Sequence, residues 1–223
     1  MNHEAQILET WRQNAGEWIK VIAEEGIESR KRVTNAAIIN AIKEQQPRKV
    51  WDIGCGEGWL CRRLESMGIA CMGTDAIPAL IEAAKKNSNG YYEVLPYGAI
   101  TGETVKGFDV DTFVFNFSLF EHEGVAQLLK TLSTSSTADV TLVVQTLHPF
   151  AVCGEGVYQS GWRDGSWTGI GAGFVNPAPW YFRTMGDWIT LFREAGFPFI
   201  QIAEPLHPDT GKPLSAIFTC KKH

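Results

Sequence analysis

The run Val50-Trp51-Asp52-Ile53-Gly54-Cys55-Gly56-Glu57-Gly58-Trp59-Leu60 constrains this chain more than any other stretch. An apolar start leads into a carboxylate, then into alternating glycines, then into Leu60, Leu64 and Met67 at helical spacing. That pattern predicts a strand, a tight turn and a helix beginning near Glu57. Glycine suits such a turn because it accepts positive φ and lets a ligand approach the backbone without a Cβ in the way. The helix behind it points free N–H groups at whatever the turn holds.

A bare strand-to-helix connection can look the same, so the next segment matters. Residues 69–74 predict a second buried strand that carries Asp75 to its C-terminal end. An acid there, about twenty residues past the glycines, accepts hydrogen bonds from ribose hydroxyls in doubly wound folds. The dinucleotide fingerprint asks for G-x-G-x-x-G without an acid ending the first strand, whereas Asp52 precedes G-x-G-x-G here. A carboxylate at that point repels a pyrophosphate and suits a ligand with an ammonium and a sulfonium.

Residues 50–58, followed by Gly73-Thr74-Asp75, resemble the first two motifs of class I S-adenosylmethionine-dependent methyltransferases. The resemblance extends more loosely over nearly the whole chain. Gln145-Thr146-Leu147-His148-Pro149 and Pro179-Trp180-Tyr181-Phe182-Arg183-Thr184 are similar to a bacterial branch acting on small molecules. It implies an α/β, Rossmann-like, seven-stranded, mostly parallel sheet with a terminal antiparallel hairpin. It also implies S-adenosyl-L-methionine as cofactor and S-adenosyl-L-homocysteine as product.

The 223 residues suffice for one domain, 1–223, with a full core and a small cap. Hydrophobic residues at 44% and charged residues at 20% are ordinary for a soluble globular protein. The net charge of −5 leaves no electrostatic footprint for nucleic acid or an acidic membrane, and it disfavours a polyanionic substrate. A small-molecule partner is expected. Cys55, Cys61, Cys71, Cys153 and Cys220 lack C-x-x-C spacing and read as small buried hydrophobes in a reducing compartment. No run reaches about eighteen apolar residues and the start lacks a basic, apolar leader, so a cytoplasmic protein is expected.

Ile7, Trp11, Trp18 and Ile22 form an apolar stripe on an amphipathic helix, and Ser29 is placed to cap a second helix reaching Glu44. Trp11 and Trp18 are either packing residues or ligand-facing ones. The resemblance makes residues 1–46 a helical lid, with Trp11 and Trp18 toward substrate and Arg30 toward the cofactor's carboxylate. It also places Asp52, Gly54, Cys55, Gly56, Trp59, Asp75 and Ala76 at the cofactor. Pro78 opens a helix that buries Leu80, Ile81 and Ala84, and a third strand over 91–95 brings Tyr97 and Gly98 to the crevice. The family often has a carboxylate there for the adenine amino group. None stands at 96–98, which leaves backbone and the Tyr97 ring.

A fourth strand over 108–115 ends in Asn116, Phe117 and Ser118, where strand ends of an α/β sheet line the ligand crevice. The paired prolines of nucleic-acid amino-methyltransferases are absent at that point. A fifth strand over 140–145 leads to His148, which is either a general base or a histidine bonded to backbone in a proline turn. Residues 150–183 show no period and many rings, as an aromatic cap loop over an apolar pocket requires. Tyr158, Trp162, Trp180 and Tyr181 are its expected substrate contacts, with Arg163 and Arg183 as anchors, while Trp167 is expected to fill the loop's own core. Thr184 caps a helix ending at Gly196, and strands over 198–203 and 215–220 are expected to pair antiparallel.

No metal-ligand spacing, serine triad or phosphate loop is present in the sequence. The expected activity is methyl transfer to an oxygen or nitrogen of a small apolar or aromatic metabolite. Two alternatives stay open: a non-catalytic cofactor-binding regulatory protein, and an NAD(P)-dependent oxidoreductase, against which Asp52 and the terminal hairpin weigh.

Overall fold

A computed structural model describes residues 3–223. Helix α1 (His3–Ala23) precedes a π-helical turn, Arg30–Thr34, that runs into α2 (Asn35–Glu44). The repeating part follows as β1 (Lys49–Ile53), α3 (Trp59–Glu65), β2 (Ala70–Asp75), α4 (Pro78–Asn87), β3 (Tyr91–Val94), α5 (Gly102–Phe108), β4 (Thr112–Asn116), α6 (Glu123–Ser135) and β5 (Thr141–Leu147). The cap contributes α7 (Pro149–Cys153), β6 (Gly161–Arg163) and β7 (Trp180–Phe182), and the chain closes with α8 (Met185–Glu194), β8 (Phe199–Ala203) and β9 (Ser215–Lys221).

The sheet order is β3-β2-β1-β4-β5-β9-β8, parallel from β3 to β5, with β9 antiparallel to both β5 and β8. This is the expected seven-stranded sheet with its terminal hairpin. Central strands read as continuous apolar runs because helices cover both faces. Successive side chains alternate between them. Val50, Val114, Val143 and Ile217 meet Ile38, Ile42, Leu60, Leu64 and Ile81 on one side. Trp51, Phe113, Phe115, Val144 and Phe218 meet Leu128, Leu132, Trp188 and Phe192 on the other. Strand order reverses between β1 and β4, so a crevice opens at their C-terminal ends.

Several local expectations are corrected. Phe108 belongs to α5 rather than to the fourth strand. Thr101 and Thr104 form a capping box at the start of that helix, and Asp109, at φ 47°, ends it. Helix α3 starts at Trp59, after Gly58 at φ 82°, and ends before Met67, which is exposed. Ser29 has helical angles and makes no cap bond, so it lies within a helix. Residues 150–183 are not one loop, since β6 and β7 pair antiparallel inside them.

The lid and the cap are fastened together. Asn14, almost fully buried, donates through Nδ2 to Val175 O at 2.8 Å and accepts from Val175 N–H through Oδ1 at 2.8 Å. Thr10 Oγ1 donates to Asn176 O at 2.9 Å. No described helix is long and apolar enough to cross a membrane.

Candidate cofactor and acceptor cavities

Turn geometry at the crevice is set by short contacts. Gly54 and Cys55 N–H both donate to Thr74 O, at 2.7 and 2.9 Å, which ties the glycine turn to β2. Gly54 sits at φ 80°, and a Cβ there would stand 2.5 Å from Ser118 Cβ, so both conformation and space require glycine. Ser118 Oγ donates to Ile53 O at 2.9 Å, and Tyr97 Oη donates to Ser118 O at 3.0 Å. Tyr97 therefore braces the floor with its hydroxyl and leaves only its ring to a ligand. Asp75 accepts from Gly56 N–H through Oδ2 and from Ile77 N–H through Oδ1, both at 2.9 Å. A carboxylate has more acceptor sites than these bonds use, which leaves capacity for a ligand hydroxyl.

Around this turn lies a cavity of about 370 Å³. All the residues expected at the cofactor line it: Arg30, Asp52, Gly54, Cys55, Gly56, Trp59, Asp75, Ala76, Tyr97, Gly98, Asn116, Phe117 and Ser118. Its charge is unusual. Asp52 is 2% exposed, its Oδ1 has no partner among the described residues, and burial, then Asp75 and Glu57, push its carboxyl up to about 8. Glu57 is equally buried; Oε1 accepts from Arg62 at 3.0 Å and Oε2 has no partner among the described residues. Sequence reasoning missed Glu57 as a site residue, although a carboxylate between two glycines was its signal.

Opposite them stands Arg30, 8% exposed rather than a surface cation. Its Nε donates to Asn35 Oδ1 at 3.2 Å, its guanidinium lies 4.8 Å from the Trp59 ring and 5.3 Å from the Trp18 ring, and Nη2 has no partner among the described residues. Burial lowers its pKa to about 10, against the pull of Glu57 and Asp52. The π turn that carries it is a form often found at functional positions.

A second cavity, about 1140 Å³, adjoins the first and is lined largely by apolar groups such as Ile27, Leu147, Val152, Trp167, Trp180 and Phe182. Ile7, Trp11, Trp18, Arg30, Phe117 and Phe120 line both, so they form the seam. Phe117 holds φ 54°, a strained value for a residue with a Cβ.

Of the expected substrate contacts, Trp11, Trp18, Arg163 and Trp180 line the larger cavity. Tyr158, Trp162, Tyr181, Arg183 and His148 line neither cavity. Strand alternation explains part of this: in β7, Trp180 and Phe182 face the cavity and Tyr181 faces away, stacking on His122 at 4.0 Å. In β6, Arg163 faces in and Trp162 faces out against His3 at 4.2 Å. Arg163 Nη2 donates to Val157 O and Gln159 O, and the Tyr158 hydroxyl accepts from Met185 N–H at 2.8 Å. Arg183, buried between Tyr181 and Trp188, donates to Glu121 O at 2.6 Å and His122 O at 3.1 Å, which makes it a strut. Trp167 packs on Phe174 as expected, yet it also meets Trp11 and lines the cavity.

His148 is the main correction. It is 4% exposed, its Nδ1 accepts from Ala151 N–H at 3.3 Å as the cap of α7, and its Nε2 lies 2.6 Å from Glu204 Oε1. Both ring nitrogens are engaged and His148 itself lines neither cavity, an arrangement that fits a histidine bonded to backbone in a proline turn.

Residues 51–150 match a protein family described as a methyltransferase domain. That stretch, a little under half of the chain, is similar to a methyltransferase domain. It is 34% identical over 87 residues to a ubiquinone biosynthesis O-methyltransferase of Sinorhizobium medicae, a stretch that covers 36% of this chain and 34% of that protein. It is 30% identical over 101 residues to the Bradyrhizobium diazoefficiens protein of the same name, covering 45% and 40%. Among solved structures, the DhpI-SAM-HEP complex superposes with a TM-score of 0.65 at 12% identity over 98% of this chain and 97% of that one. An S-adenosylmethionine dependent methyltransferase from Mesorhizobium loti gives 0.60 at 18% identity over 82% and 96%. At those identities the likeness is one of fold, and it extends over most of the chain in both cases.

Proposed function

We propose that this methyltransferase moves a methyl group from S-adenosylmethionine to an oxygen of a small, largely apolar or aromatic acceptor. One observation carries the reading: a single cavity holds unpartnered buried atoms of both signs, Arg30 Nη2 against Asp52 Oδ1 and Glu57 Oε2. Unpaired buried charge is costly, and an amino acid zwitterion offers a partner to each atom. Arg30 would hold the ligand's carboxylate, Asp52 and Glu57 its ammonium, and Asp75 the ribose hydroxyls. The residues present therefore fit the cofactor.

When bound there, S-adenosylmethionine supplies an electrophilic methyl group on a cationic sulfur. The protein's task is then to hold an acceptor oxygen in line with that methyl, near three ångströms away, which can account for much of the acceleration. Phe117, Phe120, Trp11 and Trp18 at the seam would keep water from the approach. The two curated relatives, both O-methyltransferases by name, favour oxygen over nitrogen as the acceptor atom.

Calorimetric titration with S-adenosylhomocysteine, beside NADH, tests this reading. Micromolar binding of the former, weakened at least tenfold by Arg30→Met and by Asp75→Ala, is expected. Binding of the nicotinamide instead, or of neither, would overturn it.

A further inference from the structure

The loop leaving β4 carries a carboxylate that neither the cofactor nor the acceptor reading uses. Glu121 lines the smaller cavity next to Phe120, a seam residue. From α1, Glu4 lines the same wall, one helical turn before Ile7, which also belongs to the seam. The two side chains meet at the start of α6. Gly124 N–H donates to Glu4 Oε1 at 3.4 Å, and a Cβ on Gly124 would stand 2.9 Å from Glu121 Oε2.

This position is held from outside. Tyr181 N–H donates to Phe120 O at 2.8 Å, and Arg183 holds the carbonyls of Glu121 and His122. The loop is thereby strapped to the cap while Glu4 reaches it from the lid. Among the described residues no cation forms an ion pair with the Glu121 carboxylate. The same cavity contains the unpartnered Asp52, Glu57 and Arg30 atoms that call for a ligand.

Resting on the methyl-transfer reading above, we propose that Glu121, paired with Glu4, is the general base that takes the proton of an acceptor hydroxyl at the seam of the two cavities. The hydroxyl proton passes to the Glu121 carboxylate. The oxygen lone pair forms the O–CH3 bond while the C–S bond breaks, its electron pair staying on sulfur to give a neutral thioether. The carboxyl then returns the proton to water. Atoms and charge balance with no further reactant.

The electrostatics agree with the geometry. Burial, then the Glu4 charge, push the Glu121 carboxyl up to about 7. The other charged or titratable groups around it are Tyr97, Asp52, Glu57, Asp75 and Arg30 in the walls of the same cavity, His122 beside it, and Arg183, whose Nη2 holds backbone carbonyls while its buried Nη1 has no partner among the described residues. A base near the working pH combines a useful ionised fraction with real proton affinity, and such bases contribute about 10²–10⁴-fold.

The test combines a titration with turnover. Protein labelled with ¹³C at glutamate carboxyls is titrated by NMR, with Glu121→Gln assigning the resonance. Methyl transfer from S-adenosylmethionine to a panel of catechol, phenol and alkyl alcohols is measured in parallel. We expect Glu121 to titrate near 7 and to move toward the ordinary carboxylate range in Glu4→Gln. Glu121→Gln should lower kcat about 100-fold or more, with S-adenosylhomocysteine affinity and melting temperature kept. The rising limb of the pH–kcat profile should move to lower pH in Glu4→Gln. A Glu121 titration in the ordinary range, turnover by Glu121→Gln close to that of the unaltered protein, or a panel without one methylated hydroxyl would overturn the assignment. Failure to bind S-adenosylhomocysteine would bring down the methyl-transfer reading itself, whereas retained binding with normal Glu121→Gln turnover would remove the base alone.

Discussion

The two cavities share a wall and are built in opposite ways. The smaller sets backbone turns and charged side chains, most of them between Asp52 and Glu121, beside apolar lid residues such as Leu8 and Trp11, and short hydrogen bonds fix its glycine turn, Asp75 and Ser118. The larger is lined mainly by rings and aliphatic groups gathered from the lid, the cap and the β8–β9 loop, with charged residues such as Arg32, Arg163 and Asp164 also in its wall. A cavity whose own charges lack partners prescribes the charge of its ligand. One lined by rings prescribes only size and apolar character. The first therefore names its cofactor class, while the second, where the proposed acceptor would sit, selects far less sharply.

The sharpest way to break this contrast is Gly54→Ala. Its Cβ would meet Ser118 at 2.5 Å from a backbone at φ 80°, so S-adenosylhomocysteine affinity should fall by about 100-fold or more, with about 1–3 kcal/mol of added strain. Trp167→Ala, in the larger cavity, should leave that affinity within about twofold, because only the seam is common to both ligands.

Arg30→Met separates binding from folding. Losing a charged hydrogen bond worth about 1.5–3 kcal/mol should weaken S-adenosylhomocysteine binding about 10- to 100-fold. The free protein should melt no lower than before, since a buried, partly unsatisfied guanidinium leaves with the substitution. A melting temperature that drops along with affinity would make Arg30 a structural residue. Trp180→Ala should act on the other side of the seam, raising the acceptor KM about tenfold through lost apolar contact of about 1.5–3 kcal/mol with cofactor affinity unchanged.

Acidity of the smaller cavity gives a pH test by differential scanning calorimetry. The Asp52 carboxyl stands at about 8 in the folded protein, above its ordinary value. Between that ordinary value and 8 the folded state binds the extra proton, so stability is greatest at low pH and declines as pH rises toward 8. The melting temperature of the free protein should fall from pH 5 to pH 8, and Asp52→Asn should flatten the decline. Smallest of all is His148→Ala. Losing the cap of α7 should cost about 1 kcal/mol in urea denaturation, with turnover little changed.

Much of the fold was legible because its signals are local. Gly54, Gly56 and Asp75 lie within one strand-turn-helix-strand unit, and the contacts that place them join neighbouring strands. Leu128 and Leu132 announced the buried face of α6, and the lone loop between β8 and β9 announced their antiparallel pairing. The cap was less legible. Strands of three residues, such as β6 and β7, are too short for alternation to show, so Trp162 and Tyr181 could not be told from Arg163 and Trp180. Glu121 and Glu4 carried no signal at all, because nothing local shows that a lid and a loop bring them together.

The sequence by itself determined the sheet and the glycine turn, since strand periodicity and positive-φ turns act over a few residues. Tertiary structure alone decided that Arg30 is buried, that His148 is a cap, that Asp52 and Glu121 have raised pKa values, and that the lid closes on the cap. Those outcomes depend on desolvation and on partners distant in the chain, as Asn14 and Val175 are, separated by 161 positions. A side chain's charge state follows from everything packed around it, and no local pattern of residues records that.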